Sequence, residues 1–367
     1  MREPTCESCH EPYPLDQLIE FEGDYYCSSC LGIETVVCSR CGVRIWNSDN
    51  SGSDSVPLCE RCYEDYYTSC SSCGRVIRTE DAYYYSYEED DPYCHDCHIQ
   101  HDDHSIHDYY YKPRPVFFGE GERYFGVELE VDGAGEYDEN ADSAVHAANN
   151  NGLEHIYCKH DGSLEEGFEI VTHPMTLEYH EQEMPWEKLL NIIKSMGYTS
   201  HKSGTCGLHI HVNRTSLGEN EADQDACIAR ILYLFEKFWD ELLKFSRRTR
   251  RQLERWAARY GYKESPKDIL DHAKKCTHSG RYTCVNLENT DTIEFRMFRG
   301  TLKLNTVIAT LQLVDRVCNV ALCLSDEDVK TMSWTTFVSG CTAPELVQYL
   351  KERRLYINEP VECEEDI

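Results

Sequence analysis

Positive charge is scarce in this 367-residue chain: 36 lysines and arginines stand against 66 aspartates and glutamates, a net of −30. Phosphate backbones are bound by Lys and Arg in excess, so nucleic acid is not an expected partner. Long apolar runs are missing too. None approaches the ~20 residues of a membrane span, and no membrane partner is expected. The start, MREPTCESCHEPYP, lacks the apolar stretch of a secretory signal. A glycine-rich phosphate loop is also absent. Cysteine, by contrast, is abundant, at 21 residues. Without a secretory signal, so many thiols point to a reducing compartment, with sulfurs free or on metal, and a cytoplasmic protein is expected. The length allows about two or three domains.

The first hundred residues repeat. C-x-x-C pairs fall at Cys6 and Cys9, Cys27 and Cys30, Cys38 and Cys41, Cys59 and Cys62, Cys70 and Cys73, and Cys94 and Cys97. Cys6, Cys38 and Cys70 are each 32 residues apart, and the loops inside the units are 17, 17 and 20 residues. Two knuckles of two thiolates complete one tetrahedral Zn²⁺, so three structural zinc sites are expected. Six redox C-x-x-C motifs would need βαβ surroundings that the pattern lacks. Pairing within each repeat is the simplest arrangement. The seven-residue gaps between repeats also permit pairing of neighbours, and His10 or His98 could replace a cysteine. The spacing resembles LIM-like or treble-clef zinc fingers. Through residue 110 there are 6 basic and 23 acidic residues, again unlike a nucleic-acid reader. Tyr25, Tyr26, Tyr66, Tyr67, Tyr83, Tyr84, Tyr85 and Tyr87 suit either a protein-docking surface or the small cores that zinc alone does not fill. We place the zinc repeats at 1–100, a linker at 101–118 and a catalytic domain at 119–367.

Four segments of that last part carry charge on an extended pattern: GVELE (126–130), DGSLEEGFEIVT (161–172), CGLHIHV (206–212) and IEFRMFRGT (293–301). Alternate residues of a strand share a face. Glu128 and Glu130 therefore point together, as do His209 and His211, and Glu294 and Arg296, each pair backed by apolar neighbours. Between them the pattern predicts helices over 138–151, 187–196, 221–258, 305–324 and 344–353. The stripe Ile228, Leu232, Phe235, Trp239 and Leu242 is core.

The order GVELE, DGSL…FEIVT, CGLHIHV, YTCVNL and IEFRMFRGT resembles the amidoligase family of the glutamine synthetase and glutamate–cysteine ligase superfamily, over roughly residues 123–325. The resemblance implies an α+β fold, with a curved antiparallel sheet, helices on its outer face, and Mg²⁺ and ATP on its concave face. It implies that ATP activates a carboxylate and an amine then forms an amide or isopeptide bond. Glu128, Glu130, Glu169 and Glu294 match the acids that hold metal and nucleotide. Arg296 matches the arginine two residues after the last acid, Arg299 follows it, and guanidinium forks suit a transferring phosphoryl group. One of His209 and His211 would reach a metal or the phosphates; their spacing leaves open which. Asp161 and Ser163 are implied to orient the nucleotide or the amine.

Weighed alone, an acidic pair is more often a solvated strand face, and H-x-H is as often a surface pair or a Zn²⁺ site. Glu165 and Glu166 fall in a turn and are expected in solvent. The RRTRR run (Arg247, Arg248, Arg250, Arg251) reads first as dipole complement and solubility, and second as a pocket for a carboxylate substrate. Cys206, Cys276 and Cys284 lack metal spacing. The expected partners are carboxylate and amine substrates, small or carried on a peptide or protein, with a protein docked through the zinc repeats. A zinc adaptor with an inactive ligase domain is the main alternative. A Zn²⁺ hydrolase built on His209 and His211 lacks H-E-x-x-H and a third ligand.

Overall fold

The computed structural model describes residues 4–84, 91–101, 104–149, 152–275 and 282–356. Tyr85, Tyr87 and Cys276 lie outside them. The chain divides into two compact units, Met1–Asp103 and His104–Ile367.

In the first unit a hairpin of β1 (Leu18–Phe21) and β2 (Asp24–Cys27) precedes α1 (Ser28–Glu34). Hairpins of β3 (Thr35–Val37) with β4 (Arg44–Trp46), and of β5 (Tyr67–Ser69) with β6 (Val76–Arg78), lead to α2 (Glu60–Tyr66) and α3 (His95–His101). The first knuckle of each repeat closes the same way, by a backbone bond from the residue after its second cysteine: His10 to Cys6, Gly42 to Cys38, Gly74 to Cys70. That residue needs a left-handed conformation (φ 61°, 73° and 71°), which glycine adopts freely. His10 is thus a turn residue. Tyr26 is buried against Leu31, and Tyr67 packs on the Leu58 cluster, while Tyr25, Tyr66 and Tyr84 stay exposed. The tyrosines divide between core and surface.

The second unit is built on one sheet. Its strands are β7 (Ile106–His107), β8 (Phe125–Val131), β9 (Ile156–Lys159), β10 (Phe168–Thr172), β11 (Gly207–Asn213), β12 (Val285–Asn286) and β13 (Thr292–Arg299), in the order β12-β13-β11-β8-β10-β9-β7. Every pairing is antiparallel except the edge pair of β7 with β9. Part of the segment expected as a linker therefore belongs to the sheet. Alternation does the rest. Val127, Leu129, Val131, Leu208, Ile210, Val212, Ile293, Phe295 and Met297 are all fully buried, and helices cover them. A β-bulge opposite Leu208 and Ile210 adds a residue to β13, so Met297 and Phe298 are both buried in succession.

The helices are α4 (Asp138–Ala148), α5 (Leu177–Gln182), α6 (Trp186–Ser195), α7 (Glu221–Lys237), α8 (Trp239–Ser246), α9 (Arg250–Trp256), α10 (Pro266–Lys275), α11 (Leu304–Cys323), α12 (Asp326–Thr331), α13 (Trp334–Ser339) and α14 (Pro344–Glu352). This is the expected α+β class. The single helix expected over 221–258 is three. Phe238 leaves helical geometry, Arg247 turns left-handed at φ 59°, and Thr249 with Gln252 forms a capping box that starts α9. By length and mean hydropathy (1.4), α11 passes as a membrane span, which corrects the reading that no run comes close; 72% of that window is buried inside the unit. It is the core helix. Phe235 of α7 meets Phe295 of β13 at 5.4 Å, and α11 packs on β11.

Candidate active site

The face of the sheet opposite the helices lines a cavity of about 790 Å³. Register brings the charged residues to it: His209 lies opposite Glu128, His211 opposite Glu294, and Glu169 between Glu130 and Lys159. The side chains meet. His209 Nδ1 is 3.2 Å from Glu128 Oε2 and 3.6 Å from Glu294 Oε1, while its Nε2 is 3.6 Å from Glu130 Oε1. His211 Nε2 is buried 3.1 Å from Glu128 Oε1 and 4.0 Å from Glu294 Oε1, in both cases without hydrogen-bond geometry. Lys159 pairs with Glu169 at 3.0 Å, Arg296 pairs with Glu294, and Asn286 donates to Glu294 at 2.8 Å.

Electrostatics follow from this crowding. Burial alone would raise the Glu128 pKa, but His211 and His209 outweigh it and hold the carboxylate well below its usual range. Burial and the neighbouring Glu128 charge push Glu169 well above its range despite Lys159. His211 is lowered by burial but raised more by Glu128, for a net rise.

Two ligand sets share His209. Ligand atoms of Glu128, His209 and Glu294, and separately of Glu130, Glu169 and His209, lie within 4.8 Å of one another. Carboxylates gathered this way fit a hard divalent cation, which prefers oxygen donors.

Asp161 and Ser163 line the same cavity, with Asp161 accepting the Ser163 N–H at 2.7 Å. Glu165 and Glu166 are exposed. Arg299 does not join the acids. It lies beyond the bulge, with His201 and Arg247 around a separate small cavity. Cys206 and Cys284 are buried as ordinary core residues. Sequence reasoning passed over Lys159, although Tyr157 and Lys159 share a face by the same alternation that found the other pairs. It also passed over Asn286 and over Tyr109 and Tyr110, which line the cavity from the segment expected as a linker.

In the first unit the cysteines gather within the repeats: Cys6, Cys9, Cys27 and Cys30; Cys38, Cys41, Cys59 and Cys62; Cys70, Cys73, Cys94 and Cys97. The sulfurs of each set lie within 4.8 Å of one another. Neither His10 nor His98 enters a set. Every described cysteine is free of disulfides. Burial opposes ionisation of Cys6, yet backbone N–H groups of Cys9, Cys27 and Ser8 bring its thiol down to about 6. Cys38 and Cys70, held alike, also fall to about 6. Four thiols clustered this closely, with the first of each set readily ionised, fit Zn²⁺.

The site is thus an acid-lined sheet face above an apolar helical layer, in a chain that also carries three four-cysteine sets. Residues 128–318, more than half of the chain, match the family described as "Putative amidoligase enzyme", and the chain belongs to that family. It is also similar to the mouse (Mus musculus) Filamin-binding LIM protein 1, at 31% identity over 75 residues; the match spans 20% of this chain and 19% of that protein. Among solved structures it is similar to the crystal structure of the complex between Prokaryotic Ubiquitin-like Protein Pup and its ligase PafA, at 9% identity and a TM-score of 0.29, over 63% of this chain and 56% of that one.

Proposed function

We propose that the chain is an ATP- and Mg²⁺-dependent ligase that joins a carboxylate to an amine through an acyl phosphate, with the zinc repeats docking a protein partner or substrate. The observation that carries the reading is the pair of overlapping ligand sets on one face of the sheet, flanked by Arg296. Glu128 and Glu294 hold one cation, Glu130 and Glu169 the other, and His209 faces both. Bound there, Mg²⁺ would neutralise phosphate charge. In the reaction, a carboxylate oxygen of the substrate attacks the terminal phosphorus of ATP and ADP leaves. The amine nitrogen then attacks the acyl carbon, loses a proton, and inorganic phosphate departs. Arg296 steadies charge on the transferring group from the middle of β13. Asp161 and Ser163 orient the nucleotide or the amine from the β9–β10 turn.

The test is phosphate release from Mg²⁺–ATP over mixed panels of carboxylates and amines, including peptides. Release that requires both an acid and an amine, and that Glu128→Gln abolishes, supports the ligase. No release with any pair would leave a zinc adaptor with an inactive domain as the better account.

A further inference from the structure

Arg248 stands apart from the rest of the RRTRR run. Arg250 pairs with Asp240 at the surface, whereas Arg248 is only 7% exposed and lines the site cavity. The left-handed turn at Arg247 brings it there, from the loop between α8 and α9. Its Nε donates to Phe298 O at 3.2 Å and its Nη2 to Cys206 O at 3.4 Å. Among the described residues it makes no ion pair, and Nη1 makes no hydrogen bond. Its place in the site is fixed by Gly207. A Cβ on Gly207 would lie 2.4 Å from His209 Nε2 and 2.7 Å from Arg248 Nη2, and the Gly207 N–H donates to Glu130 at 2.5 Å. Arg248, His209 and Glu130 thus share one corner of the cavity.

A buried guanidinium is costly unless its charge is compensated. The other buried cations of this face have their counter-ions: Lys159 has Glu169 and Arg296 has Glu294. Arg248 has two neutral carbonyls, which use two of its five N–H donors. Burial accordingly draws its pKa down to about 10, with Glu130 pulling the other way. A cation kept dry, anchored by backbone and left with one open edge on a cavity is placed for an anion that arrives from outside.

We propose that Arg248 is an oxyanion-binding residue of this site, its Nη1 edge receiving a phosphoryl or carboxylate oxygen beside His209. The anion's identity rests on the ligase reading; the existence of the anion subsite does not. A purely structural role would be to tie Phe298 and Cys206 across the bulge, so the test must read binding as well as stability.

The full-length, zinc-loaded protein is titrated calorimetrically with inorganic phosphate and with acetate, each in the presence of Mg²⁺. Arg248→Ala is expected to weaken anion binding by about 10- to 100-fold, as removal of a charge-assisted hydrogen bond does. Mg²⁺ affinity should stay near that of the unchanged protein, and millimolar guanidinium should restore part of the loss. Arg248→Lys keeps the charge without the fork and is expected to lose about 10-fold; it decides alone should Arg248→Ala fail to fold. Loss confined to phosphate assigns the nucleotide's terminal phosphate, and loss confined to acetate assigns the carboxylate substrate. Unchanged affinity for both anions in the folded variants overturns the assignment, as does the absence of any anion binding by the unmutated protein. Turnover is not read here, so a failed ligase reading would leave an Arg248-dependent anion subsite standing.

Discussion

Gly207→Ala tests the geometry of the site with a single methyl group. Gly207 has no left-handed φ, so alanine carries no backbone penalty and the effect is steric. The added carbon would stand 2.4 Å from His209 Nε2, 3.0 Å from His209 Cδ2 and 2.7 Å from Arg248 Nη2. Neither side chain can yield freely, because both are buried. If the imidazole swings, it loses Glu128; if the guanidinium swings, it loses Phe298 O and Cys206 O. Overpacking of this kind costs about 1–3 kcal/mol, or about 2–6 °C in Tm for a unit of this size. The effect on metal should be larger in proportion. Displacing the imidazole that faces both ligand sets should weaken Mg²⁺ binding by at least about 10-fold. Calorimetric titration of Mg²⁺ and a melting curve on the same sample read the two effects. A Gly207→Ala protein with wild-type Mg²⁺ affinity and an unmoved Tm would refute the close packing of His209 and Arg248 over this strand.

Elemental analysis of purified protein should find three zinc ions, one for each four-cysteine set; fewer than two, or disulfides in their place, would rule the sites out. Arg296→Lys should lose about 10²–10³ in ligase turnover while nucleotide affinity falls much less, because lysine keeps the charge but not the planar fork. Glu128→Gln should weaken Mg²⁺ and nucleotide together, and near-normal turnover in Arg296→Lys would remove that residue from phosphoryl transfer. His180, buried and donating to Phe125 O at 3.1 Å, has its pKa lowered by burial from 6.5 to about 4. Its contribution to stability is therefore full above about pH 6.5 and is lost as the pH falls toward 4. Between pH 7.5 and 5 that loss is about 2 kcal/mol, and urea unfolding of His180→Leu should show a correspondingly flatter pH dependence over the interval; an identical slope would exclude His180 as a source.

The acids, imidazoles and Arg296 were legible because strict alternation is a strong signal: two charged residues two apart on an apolar-backed strand have one face to occupy. The same rule fails where register shifts. The bulge in β13 inserts a residue between Phe295 and Phe298, and nothing in IEFRMFRGT marks which residue is extra. Arg299 is grouped with Arg296 only because it follows at the strand's exit, and it lies instead beside His201 and Arg247. The break of the long helix was written in the sequence after all. Thr249 and Gln252 stand at capping-box spacing and mark the start of α9, whereas the break at Phe238 has no side-chain cap and the apolar stripe from Ile228 to Leu242 runs straight through it. Arg248 was invisible to periodicity, since a loop residue is aimed by the backbone turn before it.

The stitch of Ile106–His107 along β9 carries a consequence for how such a protein can be cut or recombined. The family match starts at residue 128, yet a chain severed there would lose an edge strand and the tyrosines that wall the cavity. It would also bare the outer hydrogen-bonding edge of β9, an invitation to intermolecular strand pairing. A workable seam for module exchange falls before residue 104, where the two units divide. Zinc repeats swapped in from elsewhere would have to inherit 104–118 from the ligase side, so this short stretch travels with the enzyme rather than with the fingers.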